Sequence, residues 1–255
     1  MTARVPVVLA IAGTDPSGGA GVLADARAIA AHGAHACAVV AAVTAQSTRE
    51  VRTVRAVPAA LLRQQLDTLL EDVAVDAVKV GLLGSVANVR VVAEALAPLA
   101  LPVVLDPVLR ATAGRTLTDP EAMDAIRALL LPLAAVATPN AMEAGALLAS
   151  PAPATPDDAG ASARALVALG ARAALVTGGH VDEGAAECVD VLATAEAMHE
   201  LRVRRVPEAV VRGTGCLLSS AIAARLARGE SLHAACAAAQ RWVAEQIARA
   251  IPIGN

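Results

Sequence analysis

Val5-Pro6-Val7-Val8-Leu9-Ala10-Ile11-Ala12-Gly13, running straight into Thr14-Asp15-Pro16-Ser17-Gly18-Gly19-Ala20-Gly21, is the stretch that decides the fold. Its first part is short and apolar throughout, as a strand buried on both faces of a sheet should be. It is too short for a membrane span, and it ends in a Gly/Asp/Pro turn, unlike a signal peptide. Beyond the glycines an Ala/Leu-rich stretch covers residues 21–32, and a second β-branched run covers 36–44. Strand, turn, helix, strand is one βαβ unit, and the rest of the chain repeats that alternation. Further strands are predicted over 77–82, 103–105, 135–138 and 173–177, with an antiparallel pair near 188–193 and 200–206. Helices are predicted over 59–73, 86–97, 119–131, 141–148, 159–169, 216–228 and 232–247. The proline-rich segment 150–158 reads as a loop inside one domain, with Thr155 placed to cap the next helix. The whole chain, 1–255, is therefore expected to form a single α/β domain around a mostly parallel sheet.

Composition narrows the class. Hydrophobic residues make up 56% of the 255 residues and charged ones 18%, against typical values of about 45–50% and 25%. Phe and Tyr are absent and Trp242 is the sole aromatic, so the core must be aliphatic. Lys79 is the only lysine. A net charge of −3 with scattered charges excludes a nucleic-acid surface, and no aromatic platform exists on which a base could stack. Cys37, Cys188, Cys216 and Cys236 are far apart, with no C-x-x-C and no His at metal spacing. They fit reduced thiols in a cytoplasmic protein better than a disulfide framework.

Small and polar residues gather where the predicted strands end. These clusters are 13–21, Thr44-Ala45-Gln46-Ser47-Thr48, Gly81-Leu82-Leu83-Gly84, Asp106-Pro107, Thr138-Pro139-Asn140 and Thr177-Gly178-Gly179-His180. Ligands of open α/β sheets bind outside those carboxyl ends, so the pattern points to a small-molecule site. Arg212-Gly213-Thr214-Gly215-Cys216 adds a glycine turn before an uninterrupted apolar run. A helix beginning there presents unpaired N–H donors and a partial positive charge, which together suit an anion. A cysteine at that point is expected to have a depressed thiol pKa and to serve as base or nucleophile. The plainer reading is a glycine-capped loop with a structural cysteine.

In this order and spacing the segments resemble the hydroxymethylpyrimidine/phosphomethylpyrimidine kinases of thiamine biosynthesis, within the ribokinase-like superfamily. The matching pieces are 11–21 with Asp25, 44–48, Lys79-Val80-Gly81-Leu82-Leu83-Gly84, Val104-Leu105-Asp106-Pro107-Val108, Thr138-Pro139-Asn140-Ala141-Met142-Glu143-Ala144, 177–180 and 213–216. The resemblance implies a ribokinase-like three-layer α/β sandwich that phosphorylates 4-amino-5-hydroxymethyl-2-methylpyrimidine, or its monophosphate, from ATP with Mg²⁺. It implies a pyrimidine pocket of Gly13, Asp25, Gln46 and Val108. Glutamine's amide can meet a ring nitrogen and the amino group beside it together. It places phosphoryl transfer at Gly213, Thr214, Gly215 and Cys216, the thiol taking the hydroxymethyl proton. Asp106 and Glu143 are the implied carboxylates for Mg²⁺, acting through its water shell. Asn140, Thr177, Gly179 and Arg212 are expected on the nucleotide side. Family habit also implies a homodimer. As ordinary structure, Asp25 would be a polar residue in a helix's opening turns, Asp106 a strand-ending turn and Glu143 a first-turn carboxylate. Lys79, inside an apolar strand, is expected to pair with a neighbouring carboxylate rather than touch substrate.

Three departures from the family pattern matter. Thr177 stands where the family usually has a lysine before Gly-Gly-His. Ala111-Thr112-Ala113-Gly114 replaces Ala-Lys-Ser-Gly, and Val210-Val211-Arg212 replaces Asn-Thr-His. Arg212 and Arg110 are candidates to restore the lost positive charge at the phosphates. Two other functions compete: a pyridoxal kinase of the same superfamily, and a pyrimidine-binding protein without ATP chemistry.

Overall fold

The computed structural model describes residues 4–110, 116–179, 181, 184–206 and 211–251. In chain order the elements are β1 (Val7–Gly13), α1 (Gly21–Ala31), β2 (His35–Gln46), β3 (Val51–Ala56), α2 (Ala59–Asp72), β4 (Ala77–Val80) and α3 (Val86–Leu96). They continue with β5 (Val103–Leu105), α4 (Pro120–Ala125), β6 (Val136–Ala137), α5 (Ala141–Leu148), α6 (Pro156–Ala168), β7 (Ala173–Val176), β8 (Glu187–Thr194), β9 (Met198–Arg204), α7 (Thr214–Ala227) and α8 (Leu232–Ala248). One nine-stranded sheet joins the strands in the order β3-β2-β1-β4-β5-β6-β7-β8-β9. In sheet order the six strands β2-β1-β4-β5-β6-β7 are parallel; β3 pairs antiparallel to β2 at one edge, and at the other β8 pairs antiparallel to β7 and β9 antiparallel to β8.

Alternation along β1 separates two cores, because successive side chains leave opposite faces. Leu9 and Ile11 join Leu62 and Leu66 of α2, Val89 and Val92 of α3, Leu147 of α5 and Leu166 of α6. Val8 and Ala10 join Ile29 of α1, Leu218 and Ile222 of α7, and Ala235 and Ala239 of α8. The result is helix layer, sheet, helix layer. Each fully buried Leu or Ile contributes about 1.5–3 kcal/mol, which is how an aliphatic core dispenses with Phe and Tyr. Among the described residues no helix is long and apolar enough to cross a membrane.

β1 lies between β2 and β4, so the chain leaves it toward one side through α1 and returns on the other through α2. Such a switch in direction opens a crevice at the carboxyl ends of the two strands. Two glycines shape its wall. Gly21 has φ +60, and a Cβ there would sit 2.2 Å from the Gly13 carbonyl oxygen. Gly213 has φ +73, and its Cβ would sit 2.1 Å from the Gly19 carbonyl oxygen. The loop after β1 and the turn before α7 therefore press backbone on backbone.

The structure differs from the sequence reading at several elements, and α6 begins at Pro156, three residues before its expected start, behind the Thr155 cap. β3 was not predicted: Val51-Arg52-Thr53-Val54-Arg55-Ala56 carries two arginines, and as an antiparallel edge it needs no continuous apolar run. The helix expected over 119–131 stops at Ala125, continues as a π turn over Ile126–Leu130 and closes with a 3₁₀ turn containing Pro132. α7 begins at Thr214, two residues before the expected start, because Gly213 in the left-handed conformation is its cap.

Replacing Gly21 by alanine should cost several kcal/mol, about what strained backbone plus a forced loop shift requires. Urea unfolding of Gly21→Ala checks this; an unchanged midpoint would show that the loop yields freely.

Candidate active site

The loop after β1 is organised by a carboxylate. Asp15, buried at the start of that loop, accepts hydrogen bonds from Ser17 N–H (2.9 Å), Ser17 Oγ (2.7 Å) and Ala20 N–H (3.0 Å). Thr14 stitches the same loop to β2: Thr44 N–H donates to its Oγ1 (3.1 Å) and Thr44 Oγ1 to its carbonyl (2.8 Å). Gly13 and Gln46 end these neighbouring strands, and the pairing of β2 with β3 slips between Ala45 and Gln46. Gln46 is half-buried, and its amide makes no hydrogen bond to another described residue. Val108, also half-buried, follows Asp106 and Pro107 beyond β5.

Beneath these loops lies a buried charged cluster. Lys79 of β4 is 0% exposed, its Nζ 2.9 Å from Asp25 Oδ1 of α1 and 3.5 Å from Asp106 Oδ2. Two serines of α7 complete the cluster: Ser220 Oγ donates to Asp25 Oδ1 (2.9 Å), and Ser219 Oγ lies 3.2 Å from Asp106 Oδ2. Burial opposes the lysine's charge, but Asp25, Cys216 and Asp106 outweigh it and hold the ammonium pKa above its ordinary value. Lys79 stays charged. Asp25 Oδ2 is buried without a partner.

At the head of α7 no side chain caps the helix, so the first N–H groups, from Thr214 to Cys216, face outward as a cradle. A Cβ on Gly215 would lie 3.8 Å from Asp106 Oδ1, so the cradle opens beside that carboxylate. The sequence argument for an acidic thiol fails here. The Cys216 pKa is pushed up to about 12: burial dominates, Asp106 and Asp25 add to it, and attraction by Lys79 and the Gly21 N–H offsets only part. A helix N-terminus favours an anion by about 1 kcal/mol, too little against desolvation beside two carboxylates.

Across the sheet, Asn140 and Glu143 form a capping box at the start of α5. Asn140 Oδ1 accepts from Glu143 N–H (3.0 Å), and Glu143 Oε2 accepts from Asn140 N–H (2.9 Å). Glu143 Oε1 also accepts from Leu109 N–H (3.2 Å). Burial, then the Asp106 charge, push the Glu143 carboxyl up to about 8. The charge of Asp106 thus reaches the buried Glu143 carboxyl across the carboxyl ends of β5 and β6. Among the described residues no group of three or more His, Cys, Asp or Glu could hold a metal ion. Thr177 bridges to Asn140 at the end of β7, and its N–H donates to Pro139 O (3.0 Å). Gly179 is exposed beyond it. His180 and the 111–114 segment lie outside the described residues.

Two residues that the sequence reading passed over hold the Gly178–Gly179 backbone from behind. Asp190 of β8 accepts from Gly178 N–H (2.8 Å), and Arg205 donates to Gly179 O (2.9 Å), Val181 O (3.2 Å) and Ala185 O (3.1 Å). One charged residue in an otherwise apolar strand, Cys188-Val189-Asp190-Val191-Leu192, was the available signal. Arg212 stands apart from the other nucleotide candidates: its Nη1 donates to Ser47 O and its Nη2 lies 3.9 Å from Asp15 Oδ2.

Comparison with known proteins agrees with this geometry. The family model described as phosphomethylpyrimidine kinase matches residues 15–255. The chain belongs to that family. It is 40% identical over 250 residues to the hydroxymethylpyrimidine/phosphomethylpyrimidine kinase of Streptomyces coelicolor, covering 98% of this chain and 91% of the relative. Among solved structures, an ADP complex of Bacillus subtilis pyridoxal kinase superposes with a TM-score of 0.90 at 30% identity, over 98% of this chain and 95% of the other. The phosphomethylpyrimidine kinase of Clostridium difficile gives 0.82 at 30% identity, over 96% and 100%. The fold is thus the ribokinase-like α/β sandwich of these kinases, and the family's loops fall at one end of the sheet.

Lys79→Met should cost about 3–5 kcal/mol, since it strands two buried carboxylates. Adding Asp25→Leu should recover part of that loss in urea unfolding; an additive double variant would show that the two residues are not coupled. Asp190 gives a test in pH. Burial pushes its carboxyl up from 3.8 to about 6, despite the Gly178 N–H, so the folded chain holds the proton more tightly than the unfolded one. Its contribution to stability therefore falls as pH rises from 3.8 to about 6. Asp190→Asn keeps an acceptor for Gly178 and should flatten that slope, with a Tm at pH 7 no lower than wild type. A lower Tm would show that the negative charge itself holds the loop.

Proposed function

We propose that this chain transfers the γ-phosphoryl group of ATP to the hydroxymethyl oxygen of 4-amino-5-hydroxymethyl-2-methylpyrimidine, to the phosphate of its monophosphate, or to both, supplying thiamine biosynthesis. The observation that carries this reading is the uncapped N-terminus of α7 opening beside Asp106, in a chain of the phosphomethylpyrimidine kinase family. Phosphoryl transfer asks a protein mainly for positioning and charge stabilisation, and fixed backbone N–H groups give both without reorganising. The pyrimidine sits against Gly13 and Val108 with its donor–acceptor edge on Gln46, whose amide is otherwise uncommitted. Asp25 Oδ2, buried and unpartnered, is an acceptor that an amino group at the floor of the crevice would satisfy. Asn140, Thr177 and Gly179 line the nucleotide side. Asp106 and Glu143 would hold Mg²⁺ through its waters, and the ion would neutralise charge on the transferred group.

In this reading Cys216 takes the hydroxymethyl proton, and its thiol, pushed up to about 12 by burial, is protonated at neutral pH. Its activity as a base then depends on a small thiolate fraction, which grows about tenfold per pH unit. A homodimer in the cytoplasm is the expected setting.

A second reading, pyridoxal kinase, is favoured by the close superposition on the Bacillus subtilis enzyme. Gln46 and the short 18–21 loop favour the pyrimidine. ATP consumption with Mg²⁺ and hydroxymethylpyrimidine, its monophosphate or pyridoxal decides between them; turnover confined to pyridoxal would overturn the proposal. On the pyrimidine, kcat/KM should still climb with pH at pH 9. Cys216→Ala should flatten that climb and lose about 10²–10⁴-fold. A flat wild-type profile with an active Cys216→Ala would assign the transfer to the backbone cradle alone.

A further inference from the structure

On the pyrimidine-kinase reading above, we propose that Arg212 is a positioning residue for the pyrimidine. It acts as a clasp that fastens the turn after β2 and the loop after β1 to the glycine turn heading α7. It occupies a position where the family pattern has histidine, and the sequence comparison assigned it to the nucleotide phosphates. The geometry turns it the other way. Arg212 Nη1 donates to the carbonyl of Ser47, the residue after Gln46, and Nη2 lies 3.9 Å from Asp15 Oδ2. The side chain is only 15% exposed, and its backbone runs beside the loop, with Arg212 Cβ 3.8 Å from where a Gly19 Cβ would stand.

Each end of the clasp is already stiff. Asp15 is held by Ser17 and Ala20, and the 47–50 turn closes on itself through Ser47 N–H to Glu50 O (2.9 Å) and Glu50 N–H to Ser47 Oγ (3.3 Å). Arg212 therefore joins two rigid pieces and does not order a loose one. Between them, in the slipped pairing at the end of β2, sits Gln46. Because Gly213 follows Arg212 directly, any shift of the clasp moves Gln46 relative to the phosphoryl-transfer cradle.

Sheet order supplies the other half of the argument. Asn140 and Thr177 follow β6 and β7, while Ser47 follows β2, with β1, β4 and β5 in between. Four strand spacings separate the ends of β2 and β6, about 19 Å. A guanidinium anchored at Ser47 faces the pyrimidine half of the crevice. The guanidinium presents a separate nitrogen to each of Ser47 and Asp15, a planar fork that the single nitrogen of an ammonium does not reproduce.

The test is steady-state kinetics on the full chain, with hydroxymethylpyrimidine and ATP varied separately for wild type, Arg212→Ala and Arg212→Lys. Loss of the clasp should raise KM for the pyrimidine about tenfold, the usual weight of a charged hydrogen bond, and leave KM for ATP within about twofold. The lysine variant should recover part of the loss. A raised KM for ATP with an unchanged pyrimidine KM would return Arg212 to the phosphates and overturn the proposal. So would two unchanged constants. If Arg212→Ala fails to fold, Arg212→Lys carries the same comparison. Wild-type protein that neither phosphorylates nor, by calorimetry, binds the pyrimidine would sink the functional reading and the clasp with it. Wild-type turnover matched by both variants would sink the clasp alone.

Discussion

An ammonium taken out of water costs several kcal/mol unless charges and hydrogen bonds replace its hydration. Lys79 is completely enclosed in the parallel sheet, and its replacements come from Asp25 on α1 and Asp106 after β5. Those carboxylates engage Ser220 and Ser219 of α7. Elements far apart in sequence are therefore held to one another by groups none of them can release singly. That constraint places Asp106 beside the glycine turn and sets where α7 begins relative to β1. The only lysine of the chain is spent on architecture, which leaves the other fixed basic charge to arginine.

The same burial governs the chemistry above the cluster. Desolvation and the two aspartates push up the Cys216 thiol and, with Asp106, the Glu143 carboxyl, against donors from Gly21, Asn140 and Leu109. Both groups thus favour their protonated forms. The backbone cradle of α7 has no such dependence, since its N–H groups carry the same dipoles at every pH.

Strand and helix alternation was readable because buried parallel strands and amphipathic helices have different apolar periods. α5 matches its expected bounds, and α1, α2 and α3 differ only at their last residue. β3 escaped because an edge strand with one solvated face carries charge, and the π turn at Ile126 because nothing in Ala-Ile-Arg-Ala-Leu-Leu distinguishes it from ordinary helix. The pairing of Lys79 with a carboxylate was foreseen from its apolar surroundings, but not that Asp25 and Asp106 would share it. Asp190 and Arg205 were passed over because their work is on the backbone of a distant loop.

The sequence by itself determined the βαβ order, the end of the sheet at which ligand loops gather and the family to which the chain belongs. These depend on local periodicity and on short motifs whose chemistry is carried by adjacent residues. The tertiary structure alone decided which charges meet. It buried Lys79 between two carboxylates, raised a thiol that a helix N-terminus should have lowered, and turned Arg212 toward Ser47. Each of those outcomes depends on desolvation and on contacts between segments far apart in the chain, and neither quantity has a local signature in sequence.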